Sequence, residues 1–223
     1  MRSVDEKGPI FERKSPKQAR ARNTREFIFE AAARIIEEQG AFNTNAIAAR
    51  AGISIGTLYG HFASKEAILV AMARKLLADD EAEVVRAVCE VDRIESSPVP
   101  AAVRTLISLH RSRPLVRRMV MNAHASHGLS HERSAVLHGA AQRILIRREQ
   151  VLRRRVDGFA MFFATRALVG AIGAAFEEAS PLLDASQFED KLTTLVERCF
   201  LPADGDLSVL VSARREGSAS PST

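Results

Sequence analysis

Residues 51–62, AGISIGTLYGHF, place Gly52, Gly56 and Gly60 at a strict four-residue step within what otherwise reads as a short helix. A glycine inside a helix costs about 1 kcal/mol relative to alanine, so each one needs a physical reason. Gly52 suits the left-handed conformation that ends a helix, and Ser54 is a good N-cap for the next one. Gly56 and Gly60 then lie on one face of this second helix.

The residues around this stretch predict a helix-turn-helix. A first helix is expected to begin at Asn23, with Glu26 as its capping-box partner, and to end at Gly40. A short helix follows over 45–51, in which Ala48 supplies the small residue that a close helix crossing requires. The apolar positions that fill the space between the crossing helices are Ile47, Ile53 and Leu58.

The remaining chain reads as a series of helices, because strand signals are nearly absent and apolar residues recur at helical spacing. Ser64 can cap a long helix, Pro114 opens a later one, and SHG at 126–128 interrupts the chain before an arginine-rich helix. Two further helices are expected over 158–179 and 184–201. The predicted fold class is all-α, with an N-terminal three-helix helix-turn-helix domain followed by a larger helical domain.

Composition suggests four segments. Residues 1–22, rich in Lys, Arg, Ser and Pro, predict a flexible basic arm. The helix-turn-helix domain then spans 23–66, the larger helical domain spans 67–202, and the tail 203–223 is expected to be disordered. The formal net charge of +5 suits a polyanionic partner.

Cysteine usage and hydropathy indicate a cytoplasmic protein. Cys89 and Cys199 lie far apart without metal-site spacing, as expected for reduced thiols. The N-terminus lacks the apolar core of a signal peptide. The most apolar stretch, 159–176, is interrupted by Arg166 and is marginal in length for a membrane span, so we expect no membrane contact.

The segment TNAIAARAGISIGTLYGHFASKEAIL (44–69) resembles the DNA-binding segment of TetR-family transcriptional regulators, whose pattern is IA-x2-AG-[VI]-S-x-GTLY-x-[YH]F-x2-K. The resemblance implies a homodimer with an N-terminal DNA-binding domain and a larger helical domain that binds a small molecule. This sequence departs from the family twice. The corner GAFNT (40–44) is about two residues shorter than usual, and Gly60 stands where relatives commonly carry a larger side chain.

The same resemblance implies which residues contact double-stranded DNA, at the start of the positioning helix, in the major groove, and on phosphates or nearby bases. Thr44 and Asn45 lie at the start of the positioning helix, and the residues expected in the major groove are Ser54, Ile55, Gly56 and Thr57. Those expected on phosphates or nearby bases are Tyr59, His61 and Lys65. Gly56 would let the recognition helix lie close to DNA. Gly60 either removes a side chain that would read a base or merely permits close helix packing.

The helix at 158–179 is apolar nearly all round and carries a stripe of alanines at 4-3-4-3 spacing. We expect the stripe to form a dimer face with the last helix, although both faces can instead pack within one subunit. The candidate interface residues are Ala160, Ala164, Ala167, Ala171 and Ala174 of the stripe, with Phe188, Leu192, Leu195 and Cys199 of the last helix.

Candidates for an effector pocket are His110, Met119 and Phe162, although His110 and Met119 also fit core positions. His124, His127 and His131 are interpreted as ordinary polar residues, since Gly128 breaks the helix between them and no cysteine or carboxylate completes a metal site. The run RREQVLRRR (147–155) favours a solvated helix face, with DNA or an acidic effector as the alternative partner.

These patterns favour a transcriptional regulator, expected to be a repressor that a small-molecule effector releases from a palindromic operator. No phosphate-binding glycine loop, nucleophile elbow or helical His-Glu metal pair is present, so we expect neither an enzyme nor a cofactor. The alternative is an architectural or effector-independent DNA-binding protein. About 130 residues of further apolar helices exceed what DNA bending needs.

Overall fold

The computed structural model describes residues 16–90, 97–152 and 158–200. Within these ranges the regular secondary structure is helical and contains no strand, which confirms the all-α prediction. The helices are α1 (Pro16–Gln39), α2 (Thr44–Arg50), α3 (Ile55–His61), α4 (Lys65–Cys89), α5 (Val99–Arg111), α6 (Pro114–Ser126), α7 (Ser130–Leu152), α8 (Gly158–Glu177) and α9 (Ser186–Arg198), with a 3-10 turn at Pro181–Asp184.

Local signals explain most of these boundaries. Gly40, Gly52 and Gly128 have φ values of +64°, +69° and +72° at the ends of α1, α2 and α6, the left-handed conformation that glycine adopts without strain. The backbone N–H of Ala67 donates to Ser64 Oγ at 3.1 Å, so Ser64 caps α4 as predicted.

The predicted start of the first helix is wrong. α1 begins at Pro16, and Asn23 lies inside it rather than at a capping box. The segment 16–22, PKQARAR, combines a proline suited to the first helical position with good helix formers, and these outweigh the charge pattern that favoured a flexible arm. The rest of the predicted arm, 1–15, and the predicted tail, 203–223, lie outside the described residues.

The chain divides into two compact units. The first comprises the described residues up to Leu76 together with Ser112–Leu129, and the second comprises Leu77–Arg111 and the described residues from Ser130 onward. The predicted boundary at 66/67 falls inside the first unit, which extends to Leu76 and also includes α6. There α6 buries Val116 and Val120 against the core built by α1 to α4.

An ion pair also connects α6 to α1 within the first unit. The Arg113 guanidinium donates to the Glu30 carboxylate at 3.2 and 3.5 Å, and Arg34 donates to the same carboxylate at 3.0 Å. Hydrogen bonds from Arg113 and then Arg34 lower the pKa of Glu30 below its usual 4.5. Arg113 itself has a left-handed φ of +48°, which is uncommon for a residue with a side chain.

The second unit is built around α8. This helix packs against α5, α7 and α9, and buries residues such as Ile172 and Phe176 in a core shared with α5 and α9. By length and composition, α8 is the one described helix that qualifies as a candidate membrane span, with 39% of its most apolar window buried. This is weak evidence for a membrane, since the core helix of a soluble protein meets the same criteria.

Candidate DNA-binding surface

The helix α3 presents nearly all of its side chains to solvent. Leu58 is its one buried residue, with no exposed surface, and packs in the first core beside Ile47 and Ala48 of α2. Ile55 and Tyr59 are 39% and 44% exposed, and His61 is half-buried. The fold therefore holds α3 by one face and leaves the other face available to a partner.

The turn between α2 and α3 has the geometry that the glycine predicts. Ile53 N–H donates to the Ala48 carbonyl at 3.0 Å, and Gly52 N–H donates to the Ala49 carbonyl at 3.2 Å. Together with the positive φ of Gly52, these bonds form the Schellman-type end of a helix. Ala48 is 3% exposed, in agreement with its predicted place at the helix crossing.

Two hydroxyl groups begin α3. The backbone N–H of Thr57 donates to Ser54 Oγ at 3.0 Å, so Ser54 is the N-cap. Ser54 Oγ and Thr57 Oγ1 are also 2.9 Å apart, and either can donate to the other. When one of these hydroxyl groups donates to the other, the accepting hydroxyl still has its own hydrogen to donate to a group outside the pair. The exposed Ser54–Thr57 pair therefore offers one hydroxyl donor to solvent or to a phosphate oxygen.

The start of α2 lies beside α3. Asn43 caps α2 by accepting from the backbone N–H groups of Asn45 and Ala46 at 3.0 and 3.1 Å, and the Asn45 side chain is exposed. Tyr59 Oη donates to Thr44 Oγ1 across a long 3.5 Å contact. Residues 15 positions apart in the chain therefore meet at one surface.

Packing within the chain does not explain Gly56 and Gly60. A Cβ added at Gly60 would have no atom within 4 Å, and one added at Gly56 would meet only Ser54 Oγ at an ordinary 3.7 Å. The interpretation that Gly60 permits close helix packing is therefore wrong for the described residues. Packing therefore requires neither glycine, although each carries the helix cost of about 1 kcal/mol.

Lys65 is the first residue of α4, and its side chain is exposed. Its ammonium group lies 5.6 Å from the centre of the Phe42 ring, which belongs to the short corner between α1 and α2. The next residue, Glu66, has a lowered pKa because its own backbone N–H and then the Ser64 hydroxyl hydrogen-bond to its carboxylate. The start of α4 thus carries one exposed cation and one carboxylate engaged by the helix terminus.

Further cations lie on α1 and α4, and one of them, Arg22, belongs to the predicted flexible arm. Arg22, Arg25 and Lys75 line an open cleft between α1 and α4 within the first unit. The Arg25 guanidinium lies 4.8 Å from the centre of the Phe62 ring, and Lys75 pairs with Glu26 at 3.3 Å. The helix-forming composition of 16–22 is the signal that would have placed Arg22 on a helix.

The three pocket candidates do not share one unit. Met119 packs against the first core, whereas His110 and Phe162 belong to the second unit. His110 Nδ1 lies 2.8 Å from the Leu106 carbonyl, and its ring meets Phe176 edge-on at 5.5 Å, which favours the interpretation of a satisfied core histidine. Phe162 is 46% exposed, and Arg166 lies 5.0 Å from its ring centre.

The predicted dimer face is partly covered within the protomer. Ala164 and Leu192 are only 2% and 4% exposed, so these two assignments need correction: both residues are already used in the core of the second unit. Ala174 and Leu195 are exposed. The remaining candidates are half-buried: Ala160, Ala167, Ala171, Phe188 and Cys199.

The histidine cluster is divided as well. His124 is fully buried in the first unit, His127 is exposed at the end of α6, and His131 belongs to the second unit. In the ranges that the structure covers, no three His, Cys, Asp or Glu side chains are grouped so as to hold a metal ion. The side chains of the run 147–155 lie outside the described residues.

Comparison with known proteins agrees with this arrangement. The sequence model for "Bacterial regulatory proteins, tetR family" matches residues 28–72, which contain α2 and α3 whole and parts of α1 and α4. No curated protein matches the chain.

Solved structures share the fold over most of the chain. RolR in complex with resorcinol has a TM-score of 0.60 at 19% identity, covering 92% of this chain and 98% of that one. The multidrug binding protein EbrR with imidazole has a TM-score of 0.58 at 19% identity, covering 82% and 98%. A putative TetR-family regulator from Mesorhizobium loti has a TM-score of 0.56 at 19% identity, covering 81% and 96%.

The matched family segment coincides with the helix-turn-helix, and the shared fold extends into the second unit. Residues 28–72 therefore match the tetR family of bacterial regulatory proteins, and the chain shares its fold with solved structures, which together support a DNA-binding transcriptional regulator.

Proposed function

We propose that this protein is a dimeric cytoplasmic repressor that binds a palindromic operator through α3 and is released by a small molecule bound to the second unit. The observation that carries the proposal is the outward face of α3. Gly56 and Gly60 lower helix propensity without relieving any contact within the described chain. A recognition helix that lies close to the DNA backbone supplies the reason that packing does not.

The polar groups around these glycines support the same partner. Ser54 and Thr57 offer a hydroxyl donor, Tyr59 and Asn45 are exposed, and Lys65 carries a positive charge at the start of α4. Hydroxyl, amide and lysine groups are the usual protein donors to phosphate oxygens, and side chains at the start of a recognition helix contact base edges. His61, which is half-buried, would contribute through its solvent-facing edge.

We propose that the dimer forms through the solvent-facing side of α8. Phe159 and Phe163 are 76% and 59% exposed, and the same helical face continues through Ala167, Gly170 and Ala174. Soluble monomers rarely expose contiguous apolar patches of this kind. Two-fold pairing through this face would give an assembly with two copies of α3, as a palindromic operator requires.

Sedimentation tests the dimer. Ala174→Glu places a charge on an exposed position of α8, so the protomer should fold while the dimer dissociates at micromolar concentration. Ala135→Glu, at an exposed position of α7, is the matched control and should remain dimeric. An Ala174→Glu variant that sediments as a dimer would contradict this face.

We propose that the effector binds among the helices of the second unit, where His110 and Phe162 are the remaining candidates. Structures with this fold hold resorcinol in RolR and imidazole in EbrR, both small ring compounds. To weaken operator binding a hundredfold, the effector must favour the non-binding state by about 2.7 kcal/mol. A thermal-shift screen of small ring compounds tests this, since an effector-independent architectural protein would respond to none of them.

The experiment that tests DNA recognition is selection of bound duplexes from a random pool, followed by binding across a salt series. A recovered palindrome supports the dimeric reader. Lys65→Ala should then lower the slope of log K against log salt by about 0.9, the value for one phosphate contact. Tyr59→Phe should weaken binding with little change in slope, because a hydroxyl releases no counterion. Salt-sensitive binding without a consensus would instead favour the architectural protein.

A further inference from the structure

We infer that Phe42 is a positioning residue that holds the Lys65 ammonium group in place for its contact with a DNA phosphate. This rests on the proposed function, in which Lys65 binds the backbone of the operator. The observation is the approach of Lys65 Nζ to 5.6 Å from the Phe42 ring centre. That distance lies within the range of about 6 Å over which an aromatic face attracts a cation.

Phe42 lies in the short connection between α1 and α2, and both ends of this connection are fixed. Gly40 closes α1 with a φ of +64°, and α2 already begins at Thr44. Asn43 is committed to capping α2 through its side chain. Phe42 is half-buried and packs against the first core, so its ring has little freedom to move. The shortened corner therefore gives the Lys65 side chain a fixed aromatic surface.

Lys65 needs such a surface because its own side chain is long and exposed. A lysine loses much rotamer freedom when its ammonium group is fixed on a phosphate. The neighbouring Glu66 carboxylate hydrogen-bonds its own backbone N–H and the Ser64 hydroxyl, which keeps it at the start of α4. The ring covers one side of the ammonium group and leaves its other N–H donors for a phosphate oxygen.

A double-mutant cycle tests the inference. Phe42→Leu keeps an apolar side chain against the core but removes the aromatic face, and it is combined with Lys65→Ala. Binding is measured on a 30-base-pair duplex carrying the selected sequence and on an unrelated duplex of equal length. Phe42→Leu should weaken binding about two- to fivefold and shift the salt slope toward that of Lys65→Ala. In the Lys65→Ala background it should change neither quantity.

Phe42→Tyr is the conservative control, since it keeps the aromatic face and should bind both duplexes like the unmodified protein. Equal weakening by Phe42→Leu in both Lys65 backgrounds would show a merely structural role and overturn the inference. Unchanged affinity and slope in Phe42→Leu would overturn it as well. Both outcomes overturn the role of Phe42 but leave the proposed phosphate contact of Lys65 standing. A Lys65→Ala variant that binds both duplexes like the unmodified protein would overturn the phosphate contact, and the role of Phe42 with it.

Discussion

The helices α3 and α8 are attached to their units in opposite ways. α3 buries Leu58 alone among its seven residues, whereas α8 buries residues in two groups, at 161–165 and at 172–176. Those of α8 are Met161, Ala164, Thr165, Ile172, Gly173, Ala175 and Phe176. The contrast shows that α3 contributes little to its core beyond one anchor, so most of its sequence is available for recognition, whereas α8 combines two packed groups with an exposed side.

The exposed sides of the two helices differ in chemistry as well. α3 offers hydroxyl groups, two glycines and a tyrosine, which suit a hydrated polyanion. The first turns of α8 expose Phe159 and Phe163, which suit an apolar partner. The exposed side chains of both helices are therefore accessible to a partner, although Ser54 also caps α3.

The largest expected effect comes from removing the anchor of α3. Leu58→Ala should cost about 2–5 kcal/mol of unfolding free energy, because it empties a fully buried site. Ile172→Ala in α8, only 1% exposed, should cost a similar amount in its own unit. We expect Leu58→Ala to abolish duplex binding even well below the melting temperature, and Ile172→Ala to retain it.

Urea unfolding measures the free energy of unfolding of both variants. Duplex binding at low temperature then shows which variant has lost DNA binding. Leu182→Ala, at a position 62% exposed, serves as the surface control and should change stability by less than about 0.5 kcal/mol. Equal loss of DNA binding in the Leu58 and Ile172 variants would remove the contrast between the two helices.

Two glycine substitutions, before and within α3, should change stability in opposite directions. Gly52→Ala forces a side chain into a left-handed conformation and should cost about 1–2 kcal/mol. Gly60→Ala has open space around the new methyl group and should stabilise α3 by up to about 1 kcal/mol. Thermal unfolding measures both, and operator binding by Gly60→Ala should weaken despite its stability. Unchanged affinity in that variant would argue against close approach of DNA.

The smallest effect concerns the ion pair between α1 and α6. Glu30→Gln should lower stability by about 0.2–1 kcal/mol at neutral pH, because the partly exposed carboxylate binds Arg113 and Arg34. The pKa of Glu30 is lowered by folding, so this contribution is present above pH 4.5 and is lost as the pH falls through the folded-state value. Urea unfolding of both proteins from pH 7 to 3 should show their difference shrinking in acid. A difference that persists in acid would contradict the assignment.

Much of this architecture is predictable from the sequence because its signals are local. Ser54, Ser64, Gly52 and Pro114 define helix ends through capping, a left-handed φ and a fixed proline dihedral, and these act over a few residues. What sequence reasoning missed depends on contacts between distant segments. Val116 joins the first core although it follows α5 in the chain, and neither its spacing nor its composition says which core it enters.

The first unit is built from two separate segments of the chain, so its N-terminal helices do not form a complete unit alone. A fragment ending at Leu76 would lack Val116 and Val120, and the apolar surface that these side chains cover on the first core would be left to water. Such a fragment is expected to bind hydrophobic dyes and to self-associate. Exchange of DNA-binding regions between related proteins, by recombination or by engineering, would therefore have to transfer residues 112–129 along with the N-terminal helices, or replace them with a matching α6.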